Sequence, residues 1–324
     1  MILLAALLFA APHRVYVSDE ASGDVAVIEN DALVSLIPVG KRPRGIKLGP
    51  DGRLYVAVSG SPRGGPGQRD QDLPPPDRKE DGIAVVDPAQ GKVVTRLPGG
   101  TDPESFDLSR DGRFLYVSNE DAAALSVVDV EAGRVLRTVK VGAEPEGVTV
   151  SPDGSRIYVT SEEDAEIDVV DAKTFRLLRR IEVAPRPRAV VFTPDGSRAF
   201  VSAEQGAAVD VIDARRLRRS GRIRIEGQGA KPMGLAISRD GSDLFVSTGR
   251  GGSVARIDVK RQEVAATFPS VGPRPWGIAL SPEGDRLYAC GGPSDDVAVL
   301  DPRSGKVLRR IAVGKLPWGI AVGP

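Results

Sequence analysis

Seven side chains occupy one repeated place in this chain: Arg44, Glu104, Glu146, Arg188, Met233, Trp276 and Trp318. Each follows a proline and precedes a glycine or a small stand-in, as in Pro43-Arg44-Gly45, Pro103-Glu104-Ser105, Pro187-Arg188-Ala189 and Pro317-Trp318-Gly319. Two places earlier a second set reads Arg42, Asp102, Glu144, Arg186, Lys231, Arg274 and Leu316. Like charges are neighbours in this order, and both tryptophans of the chain fall side by side. Arginine forks suit carboxylates, and indole faces suit a flat ligand. Two carboxylates brought close can split their acidities and work as acid and base. Arg42, Arg44, Glu104, Glu146, Arg186, Arg188, Trp276 and Trp318 are therefore the candidate ligand-binding residues, for a planar polycarboxylate or a peptide. No residue is assigned as catalytic or as a metal ligand. The same alternation of sign also describes a self-neutralising rim of exposed ion pairs, each worth little.

Missing residue types narrow the chemistry. The only histidine is His13, near the amino terminus and expected to lie outside the folded body. A zinc site of histidine type, a copper cluster and a histidine-ligated haem are excluded on that ground. So are Ser-His-Asp and Cys-His mechanisms. No phosphate-cradling Gly-rich loop opens a helix. Cys290 is alone, so no disulfide within the chain is possible, and it reads as a small buried filler. Lys plus Arg and Asp plus Glu balance at 44 each, and no basic stripe carries interleaved aromatics, which excludes a nucleic-acid partner. No cofactor is expected.

The elements that must position the seven residues recur with a period near 42. One repeat is plain from Gly147 onward. A short apolar run leads to Pro152-Asp153-Gly154, where proline presets φ and glycine supplies a positive one. Then come the strand Arg156–Ser161, a polar link, the strand Ile167–Asp171 and a last strand within Phe175–Val183. Four strands joined by tight turns make one antiparallel blade, and such a period without helix signals means a β-propeller. Turns of the Pro/Arg-Asp/Glu-Gly type occur at 50–52, 110–112, 152–154, 194–196, 239–241 and 282–284. A seventh is absent because the chain ends just after a first strand and begins, past a leader, with a second one. The predicted fold is all-β: seven four-stranded blades, closed by pairing Gly319–Val322 with Val15–Ser18. Asp87, Asp129, Asp171, Asp213, Asp258 and Asp301 close the third strands, where a carboxylate caps the following turn. The seven Pro-x-Gly residues should then gather at one mouth of the central channel.

Met1–Ala11 is apolar, ends in small residues and is too short to span a bilayer as a helix. It has the pattern of a secretory signal, which predicts export to the periplasm or beyond. Residues 12–324 form one propeller. An insertion at about 60–81, rich in Pro, Gly and charge, interrupts the first complete blade and should be a loop without a core. No membrane span is expected in the mature chain, which should be a monomer.

The second strands Tyr16-Val17-Ser18, Tyr116-Val117-Ser118-Asn119, Tyr158-Val159-Thr160-Ser161 and Phe200-Val201-Ser202 resemble the YVTN repeat family of seven-bladed bacterial propellers. The order of the Pro-x-Gly segments resembles one subgroup, the propellers associated with pyrroloquinoline-quinone-dependent alcohol catabolism. That resemblance implies an exported accessory protein encoded beside quinoprotein dehydrogenases and transport components, either of which is a candidate partner. The leading functional expectation is a non-catalytic module that engages a small molecule or a periplasmic protein at the channel mouth. A surface scaffold and a carboxylate-based hydrolase or lyase stand behind it. Lactonase propellers share the blade number, but no matching site is evident in the sequence.

Overall fold

The repeated Val/Ile/Tyr runs become second and third strands that are buried on both faces. β-Branched and aromatic side chains suit such pleated surfaces. The structure, a computed structural model, describes residues 13–63 and 73–323. The expected leader and the centre of the insertion lie outside the described residues. The described residues form seven four-stranded antiparallel sheets. In six of them the strands run in chain order from the channel outward, as in Pro145–Val150, Arg156–Ser161, Glu166–Asp171 and Leu177–Glu182 of blade three. Blade seven is composite. Its inner strand is Pro317–Gly323, and its other three are Arg14–Asp19, Asp24–Glu29 and Ala32–Pro38. Val15 pairs with Val322 and Ser18 with Gly319, which closes the ring as expected.

Seven apolar clusters each lie between two adjacent blades. The core is therefore distributed around the ring, and each blade depends on both neighbours. All six turn aspartates accept backbone N–H bonds two or three residues on. Outer-strand arginines do more than solvate an edge. Arg180 reaches Asp168 at 3.2 Å and Arg222 reaches Asp210 at 2.6 Å, and both aspartates are fully buried. The described flanks of the insertion are tied down: the Asp77 amide bonds the Gly60 carbonyl and the Gly60 amide bonds Asp81. No helix among the described residues is long and apolar enough to cross a membrane.

One local device sets the channel mouth. In blade three Pro145 pairs with Ser161 and Val148 with Val159, so Glu146 and Gly147 bulge opposite Thr160. The same shift follows Pro103, Pro187 and Pro275. A bulge re-aims the residue it carries. Where glycine follows x, even a Cβ would strike the next blade. A Cβ on Gly147 would come within 2.2 Å of the Arg188 carbonyl, and one on Gly277 within 2.5 Å of the Trp318 carbonyl.

Candidate functional site

The hydroxyl in each Tyr-Val-Ser/Thr strand links two blades. Thr160 Oγ1 accepts the Gly147 amide at 2.7 Å and donates to the Arg188 carbonyl at 3.1 Å. Ser118 donates likewise to the Glu146 carbonyl, Ser202 to that of Met233, Ser247 to that of Trp276 and Ser18 to that of Arg44. Five of the seven mouth residues are thus held by a hydroxyl from the preceding blade. Cys290 takes this place in blade six, fully buried, with Sγ 3.8 Å from the Gly319 carbonyl.

A second ring of acids was not anticipated from the sequence. Glu20, Glu120, Glu162 and Glu204 each follow the strand hydroxyl by two places, and each amide bonds the residue two places before x. The signal was present as Ser18-Asp19-Glu20, Ser118-Asn119-Glu120, Thr160-Ser161-Glu162 and Ser202-Ala203-Glu204.

Together the two rings build two ion-pair clusters. Arg42 pairs with Asp102 at 2.9 Å and Glu104 at 3.3 Å, while Arg44 pairs with Glu20 at 2.9 Å and with Glu104. Across the mouth, Arg188 binds Glu146 at 2.9 Å, Glu204 at 2.6 Å and Glu162, and Arg186 binds Glu162 at 2.8 Å. Glu104 is 0% exposed and Glu146 7%, so these are not the solvated rim pairs that were the alternative. Trp276 and Trp318 meet edge to face at 6.5 Å, and the Arg44 guanidinium lies 5.7 Å from the Trp318 ring.

A channel cavity of about 340 Å³ opens beside them, lined by Glu146, Arg188, Met233, Trp276 and Trp318 among others. Of the expected site residues, Arg42, Arg44, Glu104 and Arg186 do not line it, and Glu144 is exposed without an ion-pair partner among the described residues.

Acids outnumber bases where they are most buried, and their acidities separate. Burial, then the charge of Glu146, pushes Glu162 up to about 9. Burial alone would also raise Glu146, but Arg188 and then Arg44 outweigh it and hold Glu146 below the ordinary value. Glu146 and Glu162 share Arg188, and their acidities are pushed apart, Glu162 upward and Glu146 downward. Beside Glu104 the balance differs: burial and then Glu104 push Glu120 up to about 10, and burial raises Glu104 as well in spite of Arg44.

A folded-state value raised above the ordinary 4.5 means that the folded protein holds the proton more tightly than the unfolded chain. This contribution to stability is complete below pH 4.5 and drains away as pH rises toward 9 or 10. The urea midpoint of the protein should fall between pH 7 and pH 9.5, and Glu162→Gln, which keeps a neutral hydrogen-bonding side chain, should fall less. Equal falls in both proteins would show that Glu162 is not protonated in the folded state.

His13 is not outside the body. Its Nε2 lies 2.7 Å from the Tyr288 hydroxyl and its Nδ1 3.5 Å from Glu283. Glu283 is in the turn between inner and second strands, at the end of the blade away from the mouth.

A family model described as a YNCE-like beta-propeller matches residues 150–322, and one described as the cytochrome D1 heme domain matches residues 77–190. The mouth offers no histidine, so its residues do not fit a histidine-ligated haem. No curated protein matches the sequence. Among solved structures, the periplasmic gluconolactonase of Pseudomonas aeruginosa is similar at 21% identity and a TM-score of 0.76, over 97% of this chain and 99% of that one. A putative 6-phosphogluconolactonase of Bacteroides fragilis is similar at 16% identity and 0.78, over 97% and 98%. Hydrazine synthase of Kuenenia stuttgartiensis is similar at 20% and 0.76, over 89% and 92%. At these identities the likeness is one of fold. The expectation of a non-catalytic binding module is nonetheless corrected, because structures named as enzymes share this architecture almost end to end.

Proposed function

The chain belongs to the YNCE-like β-propeller family, and on that premise we propose that it is a hydrolase of lactones acting at the channel mouth. The observation that carries this reading is Glu146 on the cavity wall, sharing Arg188 with Glu162 of an adjoining recess: Arg188 holds Glu146 below the ordinary value, while burial and then Glu146 push Glu162 up to about 9. In the proposed step, Glu146 takes a proton from water as the water oxygen attacks the lactone carbonyl. The ring C–O bond breaks, and Glu146 gives the proton it took to the departing alkoxide. The product is a hydroxy acid. Glu146 is ionised again at the end of the step, and Glu162 keeps its proton throughout. Arg188, bonded to both, holds them in register. The lactonases among the structural neighbours support this reading as analogues of fold. The resemblance to propellers associated with quinoprotein-linked alcohol oxidation belongs to the proposal as a setting, because oxidation of a cyclic hemiacetal yields a lactone.

The test is hydrolysis of D-glucono-1,5-lactone and simpler lactones, followed by proton release above the spontaneous rate. Activity should rise with pH as Glu146 ionises and fall as pH passes about 9, where Glu162 loses its proton. Glu146→Gln should lower kcat by roughly 10²–10⁴, the range for removal of a general base. Catalysis undiminished in Glu146→Gln, or no release above background with any lactone, would overturn the assignment.

A further inference from the structure

The two halves of the mouth carry charge differently. In blades one to four, Arg42, Arg44, Arg186 and Arg188 are each bound by acids, and acid is in excess. In blades five and six the position holding Glu20, Glu120, Glu162 and Glu204 elsewhere is glycine, Gly249 and Gly292. Three cations stand around these glycines: Lys231, whose carbonyl and Cβ lie against Gly249, the exposed Arg250 on the short turn Gly249–Gly251, and the half-buried Arg274 at the strand entry. Among the described residues no carboxylate lies within ion-pair distance of any of the three. Arg274 stacks its guanidinium 4.9 Å from the Trp276 ring, and Trp276 lines the cavity. Burial, then repulsion from Arg250, lowers the pKa of Arg274 in spite of the charge of Glu204, which lies beyond ion-pair distance and is taken up by Arg188. Cations gathered without partners beside an aromatic wall are an anion site waiting for its counter-charge. Arg44 and Arg188, which the sequence offered for that role, have their donors committed to glutamates.

We propose that Arg274, supported by Arg250 and Lys231, binds an anionic substituent of the substrate while Trp276 carries its ring. This rests on the lactonase reading and deepens it: the substrate is a lactone bearing a carboxylate or a phosphate, held with that group toward blades five and six and its ester toward Glu146.

Furan-2-carboxylate tests the subsite without any scissile ester, so its outcome is independent of hydrolysis. The only two tryptophans are Trp276 and Trp318, and they report binding directly. The carboxylate should quench fluorescence saturably, and furan-2-carboxamide, its uncharged counterpart, should bind far more weakly. Arg274→Gln should weaken the carboxylate roughly tenfold or more, the scale of a lost hydrogen bond to a charged group, and leave the carboxamide unchanged. Inorganic phosphate that displaces the carboxylate would favour a phosphorylated substrate, and failure to displace it a carboxylated one. Equal binding of carboxylate and carboxamide, or an Arg274→Gln protein that binds the carboxylate as the parent does, would overturn the subsite. With lactones, 5-oxotetrahydrofuran-2-carboxylate should show a raised KM in Arg274→Gln at unchanged kcat. Hydrolysis absent with furan-2-carboxylate binding intact would sink the lactonase reading and leave the subsite standing.

Discussion

Removal of Pro317–Gly323 with the residue that follows is expected to leave a chain that aggregates or melts far below the intact protein. That segment is the inner strand of blade seven and pairs along Arg14–Asp19. Without it the strand Arg14–Asp19 becomes an unpaired edge, and apolar faces of blades six and one lose their cover. Ile320 and Val322 pack with Val15, Val17 and Tyr288 between blades six and seven, and Ala321 packs with Ile46 between blades seven and one. Each buried Val or Ile side chain is worth about 1.5–3 kcal/mol, and a domain has only about 5–15 kcal/mol in total. Thermal unfolding monitored by circular dichroism, with size-exclusion chromatography, is the measurement. A truncated chain that stays monomeric and melts with the parent would show that closure contributes nothing.

Arg188→Ala should be the most damaging single substitution in the mouth, and should act on stability before it acts on any ligand. Its guanidinium serves Glu146, Glu162 and Glu204 at once, all nearly buried. Removing one partner of a buried ionic network costs about 3–5 kcal/mol, because the remaining charges are left uncompensated. The pH dependence has a definite sign. Glu204 and Glu146 are held below the ordinary glutamate value against burial, chiefly by Arg188. Such groups contribute stability above about pH 4.5 and lose it as pH falls through their folded values. Without Arg188 that contribution is gone, so the gap between parent and variant should be widest near pH 7 and narrow toward pH 4. Denaturant unfolding at the two pH values decides it. A variant that matches the parent at pH 7 would mean that the cluster is energetically slack.

Blade number, turn positions and ring closure were legible because each rests on a short-range pattern that repeats. Proline two places before a small residue marks the bulges, and an aromatic residue, usually followed by Val and then Ser or Thr, marks the second strands. The placing of Arg44, Glu104, Glu146, Arg188, Trp276 and Trp318 around one mouth followed from that period. Their roles did not. Arg44 and Arg188 read as free forks because Glu20, Glu162 and Glu204 sit on other strands, out of phase with the Pro-x-Gly segment. The same holds for His13, whose partner Tyr288 lies almost the whole chain away.

By itself the sequence determined the seven-bladed ring and the Pro-x-Gly residues at its mouth, though not the second ring of glutamates, since local backbone preferences and apolar patterning act within one repeat. The tertiary structure decided which charges are paired, which glutamates keep a proton and which cations stand open. Those properties depend on distance and burial between blades, and Coulomb energies fall with separation in space whatever the separation along the chain. Glu146 is held below the ordinary value by Arg188, brought in from the next blade, and by Arg44, while burial and the charge of Glu146 push Glu162 up. Arg274 is unmatched because blades five and six place glycines where their neighbours place glutamates.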